Sequence, residues 1–487
     1  MKTRYTILLL MFGLIFQIGY AQNSSDAFRF SSYDVLGSAR FVALGGAFGA
    51  VGGDLSTLNY NPAGLGIFQS SEFAFSPAIN YAANDAVYNG SLGSDANSNV
   101  NYGMIGMVTT RRLLEGSRAN NSGWKAINYG FSLNRTKNFN NSMFIAGESQ
   151  SSSLANVWRD NANGSIIEDL YPFSEGLAWD TYILDTVPGD PTQYYSGAPI
   201  YGGVTQTYWE QSKGYIDELS FAISANYNDK LIVGFSLGIP MLRYERRIEH
   251  SEFALGNPAD YEFSEFLYKD NLLTEGVGIN AKIGFIYVVS PSVRFSGAFH
   301  TPTYYSEIVD DYTSSLETIM GDGNDYFSES PIGNMVYNLR TPSRMMLGIS
   351  TLFYKSGFIS LDYEYMDYGT SNLSSSSYSF VNENHDVRAD FQATHNLRLG
   401  AEWKLDFFTI RGGYNIISSP MNPEVNDIIS SAYSWGAGYR IGNTYVDFAY
   451  SKRTTDNLFY MYNPDYVNSA SITNVTSNYI FTMGYKF

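Results

Sequence analysis

Period-two alternation of apolar residues, an exported-protein leader and a heavy load of tyrosine and phenylalanine predict an all-β fold. The expected form is a transmembrane antiparallel β-barrel of about 14 strands, its lumen filled by an N-terminal hatch. The alternation is clearest at 395–405, where His395, Leu397, Leu399, Ala401, Trp403 and Leu405 share one face. Asn396, Arg398, Gly400, Glu402 and Lys404 share the other. The same rule runs through 357–367 and through 231–241, where Leu231, Val233, Phe235, Leu237, Ile239 and Met241 oppose Gly234, Ser236 and Gly238. The chain ends on it, with Tyr479, Phe481, Met483, Tyr485 and Phe487 against Ile480, Thr482, Gly484 and Lys486. Successive strand residues point to opposite faces, so runs of this length place one face in apolar surroundings. A soluble sandwich could alternate too. Strand length, the 40 Tyr and 32 Phe, and the leader together favour the membrane.

The leader lies at 1–21. Lys2 and Arg4 are followed by the apolar run from Ile7 to Phe16, and Gly19 and Ala21 stand at −3 and −1 to a cut before Gln22. This is the order of a secretory signal peptide, and the run falls short of the roughly 20 residues that a spanning helix needs. Its removal takes two of the 30 basic residues. That leaves 28 against 47 acidic residues, a net charge of −19. Such an acidic chain lacks the basic footprint of a nucleic-acid binder. The absence of cysteine excludes disulfides, thiolate metal sites and a thiol nucleophile.

The connections alternate in length. Asn228-Asp229, Ser290-Pro291-Ser292, Lys355-Ser356-Gly357, Leu405-Asp406 and Gly442-Asn443 are tight, whereas 250–273, 302–340, 368–393, 418–430 and 453–476 are long. Outer-membrane barrels have short periplasmic turns and long extracellular loops. Counting back from a last strand that ends in the periplasm puts all of these tight turns on the periplasmic side. Fifteen segments read as strands, one more than an even-numbered barrel allows, and 142–149 is assigned to the first long loop, 140–216. Fourteen strands enclose more space than side chains alone fill, and the lumen-facing positions are small. The filler is 22–70, where Gly45-Gly46-Ala47-Phe48-Gly49-Ala50-Val51-Gly52-Gly53-Asp54 and Asn61-Pro62-Ala63-Gly64 suit a compact, partly helical plug better than a strand. No Gly-Lys-Ser/Thr follows the glycines, so they are not a phosphate loop. The expected organisation is leader 1–21, hatch 22–70 and barrel 71–487.

The run from Ala39-Arg40 through Gly45-Gly46-Ala47-Phe48 to Asn61-Pro62-Ala63-Gly64 resembles the hatch of the outer-membrane transporters of long-chain fatty acids and other hydrophobic compounds, the FadL/TodX type. Leu361 to Tyr368, Leu397 to Trp403, Ile410 to Tyr414, Ser419-Pro420 and Tyr445 to Tyr450 resemble that family's later strands in the same order. The resemblance implies fourteen strands, the first starting soon after Asn-Pro-Ala. It implies passive uptake of a hydrophobic small molecule in the outer membrane, with a hatch that moves and a lateral exit at a kink in the third strand, here within about 125–140. Asn61, Pro62, Ala63 and Gly64 are the expected gate. The lumen candidates for the ligand are Arg398 and Arg411, which could hold a carboxylate, and His300. The competing reading pairs the arginines with Asp362, Glu364 or Glu402. The expected partners are the ligand and outer-membrane lipid or lipopolysaccharide, around a monomer with no cofactor. No metal is expected, since His250, His300, His385 and His395 are scattered and Asp310-Asp311 reads as solvated charge. An outer-membrane lipase or acyltransferase would need a nucleophile with a nearby base, and no serine sits in a Gly-x-Ser-x-Gly elbow. The chain therefore reads as a non-enzyme. The alternative function is an adhesion barrel or a general porin.

Overall fold

A computed structural model of the chain describes residues 24–113, 122–150, 152–198, 203–255, 263–354, 356–426 and 428–487. The leader read at 1–21 lies outside them. Fourteen antiparallel strands close on themselves. They are β1 (Glu72–Tyr88), β2 (Ser91–Arg112), β3 (Trp124–Asn138, continued by Asn141–Ser149), β4 (Val204–Tyr227), β5 (Leu231–Ala254), β6 (Phe263–Ser290) and β7 (Val293–His300, continued by Tyr304–Met320). After them come β8 (Gly333–Arg340, continued by Arg344–Phe353), β9 (Gly357–Asp367), β10 (Ala393–Leu405), β11 (Phe408–Ile417), β12 (Ile429–Ile441), β13 (Thr444–Phe459) and β14 (Ala470–Lys486). β1 pairs with β2 on one side and with β14 on the other, Glu72 opposite Lys486, which closes the barrel.

Closure without an edge satisfies every ladder group inside a bilayer. The outward face carries the apolar half of the alternation: Leu399 is 48% exposed and Phe481 45%, whereas their neighbours Arg398 and Thr482 are 8% and 1% exposed. The chain is thus an outer-membrane, multi-pass β-barrel, and no described helix is long and apolar enough to cross a membrane.

Three sequence expectations need correction. The segment 142–149 is not loop. Asn141–Ser149 pairs with β4 from Ser212 to Val204, above the part of β4 that pairs with Trp124–Asn138, so it is the upper half of β3. The count of fourteen holds because two segments make one broken strand. Second, one tight turn was missed, although the five that were named lie together at one end. Asn89-Gly90, both at positive φ, joins β1 to β2 at the opposite end, as an Asn-Gly hairpin should. Third, much of what reads as long loop is strand. β4, β5 and β6 run 24, 24 and 28 residues, against the roughly 10 that cross a membrane. They form a wall that stands well clear of the bilayer.

β7 and β8 each break once, at Thr301-Pro302-Thr303 and Thr341-Pro342-Ser343. Proline offers the ladder no N–H. The two breaks lie side by side and repair each other: Thr341 N donates to Thr303 O at 3.0 Å and Thr303 N to Thr341 Oγ1 at 2.8 Å.

Candidate functional site

The N-terminal segment meets the inner wall almost all the way round. Its elements are short: α1 (Ser24–Arg29), α2 (Ala39–Ala43) and two 3-10 turns, Leu55–Asn59 and Pro62–Ile67. Each of the last three has its own cap. Ser38 Oγ accepts from Phe41 N at 3.1 Å, Asp54 Oδ1 from Ser56 N at 2.9 Å, and Asn61 Oδ1 from Ala63 N at 3.1 Å. Ser38 Oγ in turn donates to Asp54 Oδ2 at 2.7 Å, tying two caps together. Gly45 and Gly46 turn the chain at φ of 62° and 76°, a region that other residues adopt only under strain. The Asn-Pro pattern is therefore a helix start, with Pro62 at the first position.

Small wall residues seat this segment. A Cβ on Gly284 of β6 would strike Asn61 Oδ1, one on Gly234 of β5 would strike the Pro62 backbone, and one on Gly413 of β11 would strike the Leu44-Gly45 peptide. Polar contacts complete the seating. Asn61 Nδ2 donates to Gly49 O at 2.8 Å and Phe285 O at 3.3 Å, Ala39 N donates to Thr482 Oγ1 at 2.7 Å, and Ser434 Oγ donates to Ala43 O at 3.0 Å. Ala63 is fully buried beside Ile232 and Ile286, and Gly64 lies against Thr57.

The charged candidates are engaged in ion pairs. Arg398 holds Glu364 at 2.9 Å, and Glu364 also holds Arg344. Arg411 bridges Glu402 and Asp447, each at 2.7 Å, and Glu402 is shared with Arg40 of the N-terminal segment, also at 2.7 Å. His300 Nε2 contacts Tyr60 O at 2.8 Å, and since a carbonyl only accepts, the ring carries its proton there. Tyr60, unremarked in the sequence, is the hub. Its ring faces Arg344 and Arg398 at 5.4 and 5.3 Å, and its hydroxyl donates to Asp362 at 3.2 Å. Asp310 is not solvated: it is buried and accepts from Thr274 Oγ1 at 2.6 Å.

Above this floor lie two spaces. A lumen cavity of about 400 Å³ is bounded by Phe28, Tyr33 and Asp34 from the N-terminal segment and by many asparagines from the wall. Farther out is a pocket of about 230 Å³ between the first long loop and the strand extensions. Its apolar lining includes Trp158 from the loop helix α3 (Leu154–Ala162), with Phe173, Tyr208, Tyr268, Tyr312 and Met461. Trp158 lies 5.5 Å from Tyr268, and Phe173 lies 4.6 Å from Tyr312, centroid to centroid. Burial pushes the pKa of Tyr171 and Tyr462 above the usual phenol range, so both stay neutral donors at this pocket. Phe30 belongs to the aromatic layer that takes in Leu272, a residue of the outer pocket, whereas Phe28 lines the cavity. The stretch around α1 thus stands between the two spaces.

The wall of the cavity is interrupted between β2 and β3. β2 and β3 pair only from Arg112–Ala126 up to Met104–Asn134. Above Asn134 the third strand bulges between Arg135 and Lys137, breaks at 139–140, and is paired only with β4. The strands meet again where Gly93 lies against the Phe144 backbone. Side chains close the interval. Tyr102 Oη donates to Asp217 Oδ2 at 2.6 Å, Arg135 binds the same carboxylate at 2.9 and 3.1 Å, and Asn138 Nδ2 reaches Asn99 Oδ1 at 3.4 Å. Asp34 ties the N-terminal segment to this bend. Its N–H donates to Thr136 O at 2.9 Å, and its carboxylate takes Asn138 N at 3.2 Å and Lys137 at 3.1 Å.

No family model matches the sequence, and no characterised protein is close enough in sequence to match. Solved structures do match. The Pseudomonas putida toluene transporter TodX is 12% identical, with 93% of this chain and 99% of that one covered and a TM-score of 0.54. The fold is that of the TodX-type barrels. A Pseudomonas aeruginosa FadL homologue, 13% identical over the same shares, gives 0.54, and the Ralstonia pickettii toluene transporter TbuX, 15% identical over the same shares, gives 0.50.

Proposed function

We propose that this barrel takes up small hydrophobic molecules passively through the outer membrane, with residues 24–70 as the hatch and the β2–β3 interval as a lateral exit. The supporting observation is the loss of the β2–β3 ladder beside a cavity whose floor is filled. A filled floor closes the straight path to the periplasm, and a wall held by side chains rather than backbone can open without breaking strand pairing. The aromatic outer pocket gives an apolar molecule its first site, in keeping with pockets of this size and lining. Toluene transport in the named neighbours and long-chain fatty-acid uptake implied by the sequence resemblance both fall within this class. Asp34 couples hatch to exit, because its N–H holds Thr136 and its carboxylate holds Lys137 and Asn138 of the bend. Asn61 to Gly64 act as the hatch anchor. Arg398, Arg411 and His300 act through carboxylates and Tyr60, positioning the hatch rather than holding cargo.

The test is uptake of radiolabelled oleate and toluene by cells carrying Asn99→Cys/Asn138→Cys, in a chain with no other thiol. A short bifunctional thiol reagent that spans the interval should abolish uptake, and cleaving the link should restore it. Unchanged uptake after complete cross-linking defeats the lateral exit. No uptake by the unmodified protein turns the reading to a porin or an adhesion barrel.

A further inference from the structure

The end of the barrel that carries the five tight turns is charged unlike the rest of the chain. We infer that this periplasmic mouth docks an acidic segment of a periplasmic protein. Such docking stands apart from the uptake route and does not depend on the cargo.

The chain has 30 basic and 47 acidic residues. Beside the tight turns the balance is reversed. Arg111, Arg112, Lys125, Lys230, Lys404 and Arg440 are exposed there, and the exposed acids among the described residues are Asp229 and Asp406. Short turns face the periplasm in barrels of this kind, so the excess of acid lies elsewhere in the molecule.

The cations face the opening. Arg112, Lys404, Arg440 and Lys486 stand at lumen-side positions of the alternation, on β2, β10, β12 and β14. Arg112 Nη2 donates to Gln69 Oε1, at the end of the inner segment, at 3.3 Å. Arg440 lies 5.5 Å over the ring of Tyr445, whose hydroxyl donates to Glu72, and Lys486 pairs with Glu72 at 3.5 Å. The lipid side of the same level is aromatic: Trp403, Phe408, Tyr439 and Tyr485 are exposed there, as in an interfacial girdle. A phospholipid contact would need its cations on that side, whereas these four ring an aqueous opening.

Three of the four are also unspent. Among the described residues Arg112, Lys404 and Arg440 enter no ion pair, in contrast to Arg40, Arg344, Arg398 and Arg411 of the lumen. Above the rim, half-buried Arg294 is likewise in no ion pair among the described residues, and its Nη1 donates to Val51 O of the inner segment at 3.0 Å. β10, β12, β14 and β2 are alternate strands of the closed wall. Neighbouring cations therefore stand about 10 Å apart, two strand spacings. One small anion cannot bridge that distance, but carboxylates spread along a peptide can. A rim of one sign also draws an acidic partner in from solution.

The experiment is fluorescence anisotropy of labelled oligoglutamate, with oligoserine as the neutral control, added to the full-length barrel in nanodiscs of zwitterionic phospholipid. Oligoglutamate should bind saturably and oligoserine should not, and the affinity should fall as salt rises. Arg112→Gln/Lys404→Gln/Arg440→Gln should weaken binding by about tenfold. The matched variant toward the other end, Lys213→Gln/Lys269→Gln/Arg340→Gln, should leave it unchanged. A gel shift on heating shows which variants are folded, and the charge selectivity of the wild type by itself tests the idea if neither is. No saturable binding, or an equal loss in the two variants, overturns the docking assignment while leaving hydrophobic uptake standing. Rim-dependent retention of phosphatidylglycerol from mixed-lipid discs, read by mass spectrometry and without peptide binding, overturns it in favour of a lipid contact.

Discussion

The wall between β10 and β14 and the wall between β2 and β3 are made of the same antiparallel strand, yet they are held differently. From β10 to β14 the register is unbroken, and each ladder runs the length of its strands. Between β2 and β3 the ladder stops at Met104–Asn134, and Tyr102, Arg135 and Asp217 take over. Both regions hold a buried arginine on a carboxylate: Arg411 on Asp447 in the first and Arg135 on Asp217 in the second. In the first the pair sits behind a wall that backbone already closes. In the second the pair joins β3 to β4, and Tyr102 reaches from β2 to its carboxylate to make the closure. Equivalent chemistry thus backs a laddered wall in one place and joins strands without a ladder in the other.

The sharpest break in that comparison would come from deleting 24–70. The wild type should show almost no ion current in a planar bilayer, and the deletion should give a large, steady conductance. A silent deletion would mean that the wall alone closes the lumen.

Next in size are Asp217→Ala and Asp447→Ala. Asp217→Ala strands the buried Arg135, which costs about 3–5 kcal/mol, read as a lower urea midpoint for unfolding, whereas Asp447→Ala leaves Arg411 its bond to Glu402 and should cost less. Both should be destabilised, but only Asp217→Ala should change uptake rate in variants that still fold. Equal effects on uptake would erase the distinction between the two walls.

Asp34→Asn should act on the coupling between segment and bend. Uptake should rise or fall several-fold while the unfolding midpoint moves by no more than about 1 kcal/mol, the usual worth of a part-exposed ion pair. Trp158→Ala should weaken apolar ligand binding by about tenfold with little effect on the wall, measured by titration with a fluorescent fatty acid.

The smallest effect lies in the loop helix α4 (Val381–Asp390). Burial raises the pKa of Asp390 above its usual value, with like charge from Asp386 adding to it. The raised value means that the folded state favours the protonated acid. Its cost is absent below the unfolded pKa and appears in full as pH rises through the folded one. Asp390→Asn should therefore raise the melting temperature by a degree or so at pH 7 and not at pH 3. The hydrogen bond from Ser24 to Asp390 Oδ2, 3.1 Å, can be kept by the amide oxygen.

Period two made the membrane-spanning parts of the strands legible because lipid outside and packed polar groups inside impose opposite demands on alternate residues. That is why 395–405 and 479–487 read correctly residue by residue. The same signal fades where strands rise out of the bilayer. The connection read at 250–273 keeps no clear apolar stripe, yet its first residues continue β5 to Ala254 and its last open β6 from Phe263. The upper half of β3 was lost for a related reason: the break at 139–140 makes one strand look like two.

At the candidate site, the helix start at Asn61-Pro62 was legible because capping is a local matter. The partners of Arg398 and Arg411 were narrowed to nearby carboxylates, since facing strands bring them together. Arg40 and Asp447 were not foreseen there. Tyr60, Asp34 and the Tyr102-Arg135-Asp217 closure left no local mark. Each depends on strands far apart in the chain meeting around a lumen. The sequence by itself determined a closed, apolar-skinned barrel with small residues facing in, because alternation and capping act over a few residues. Only the tertiary structure decided where the ladder stops and which charges are used up, because those follow from how fourteen strands and one inner segment share a single enclosed space.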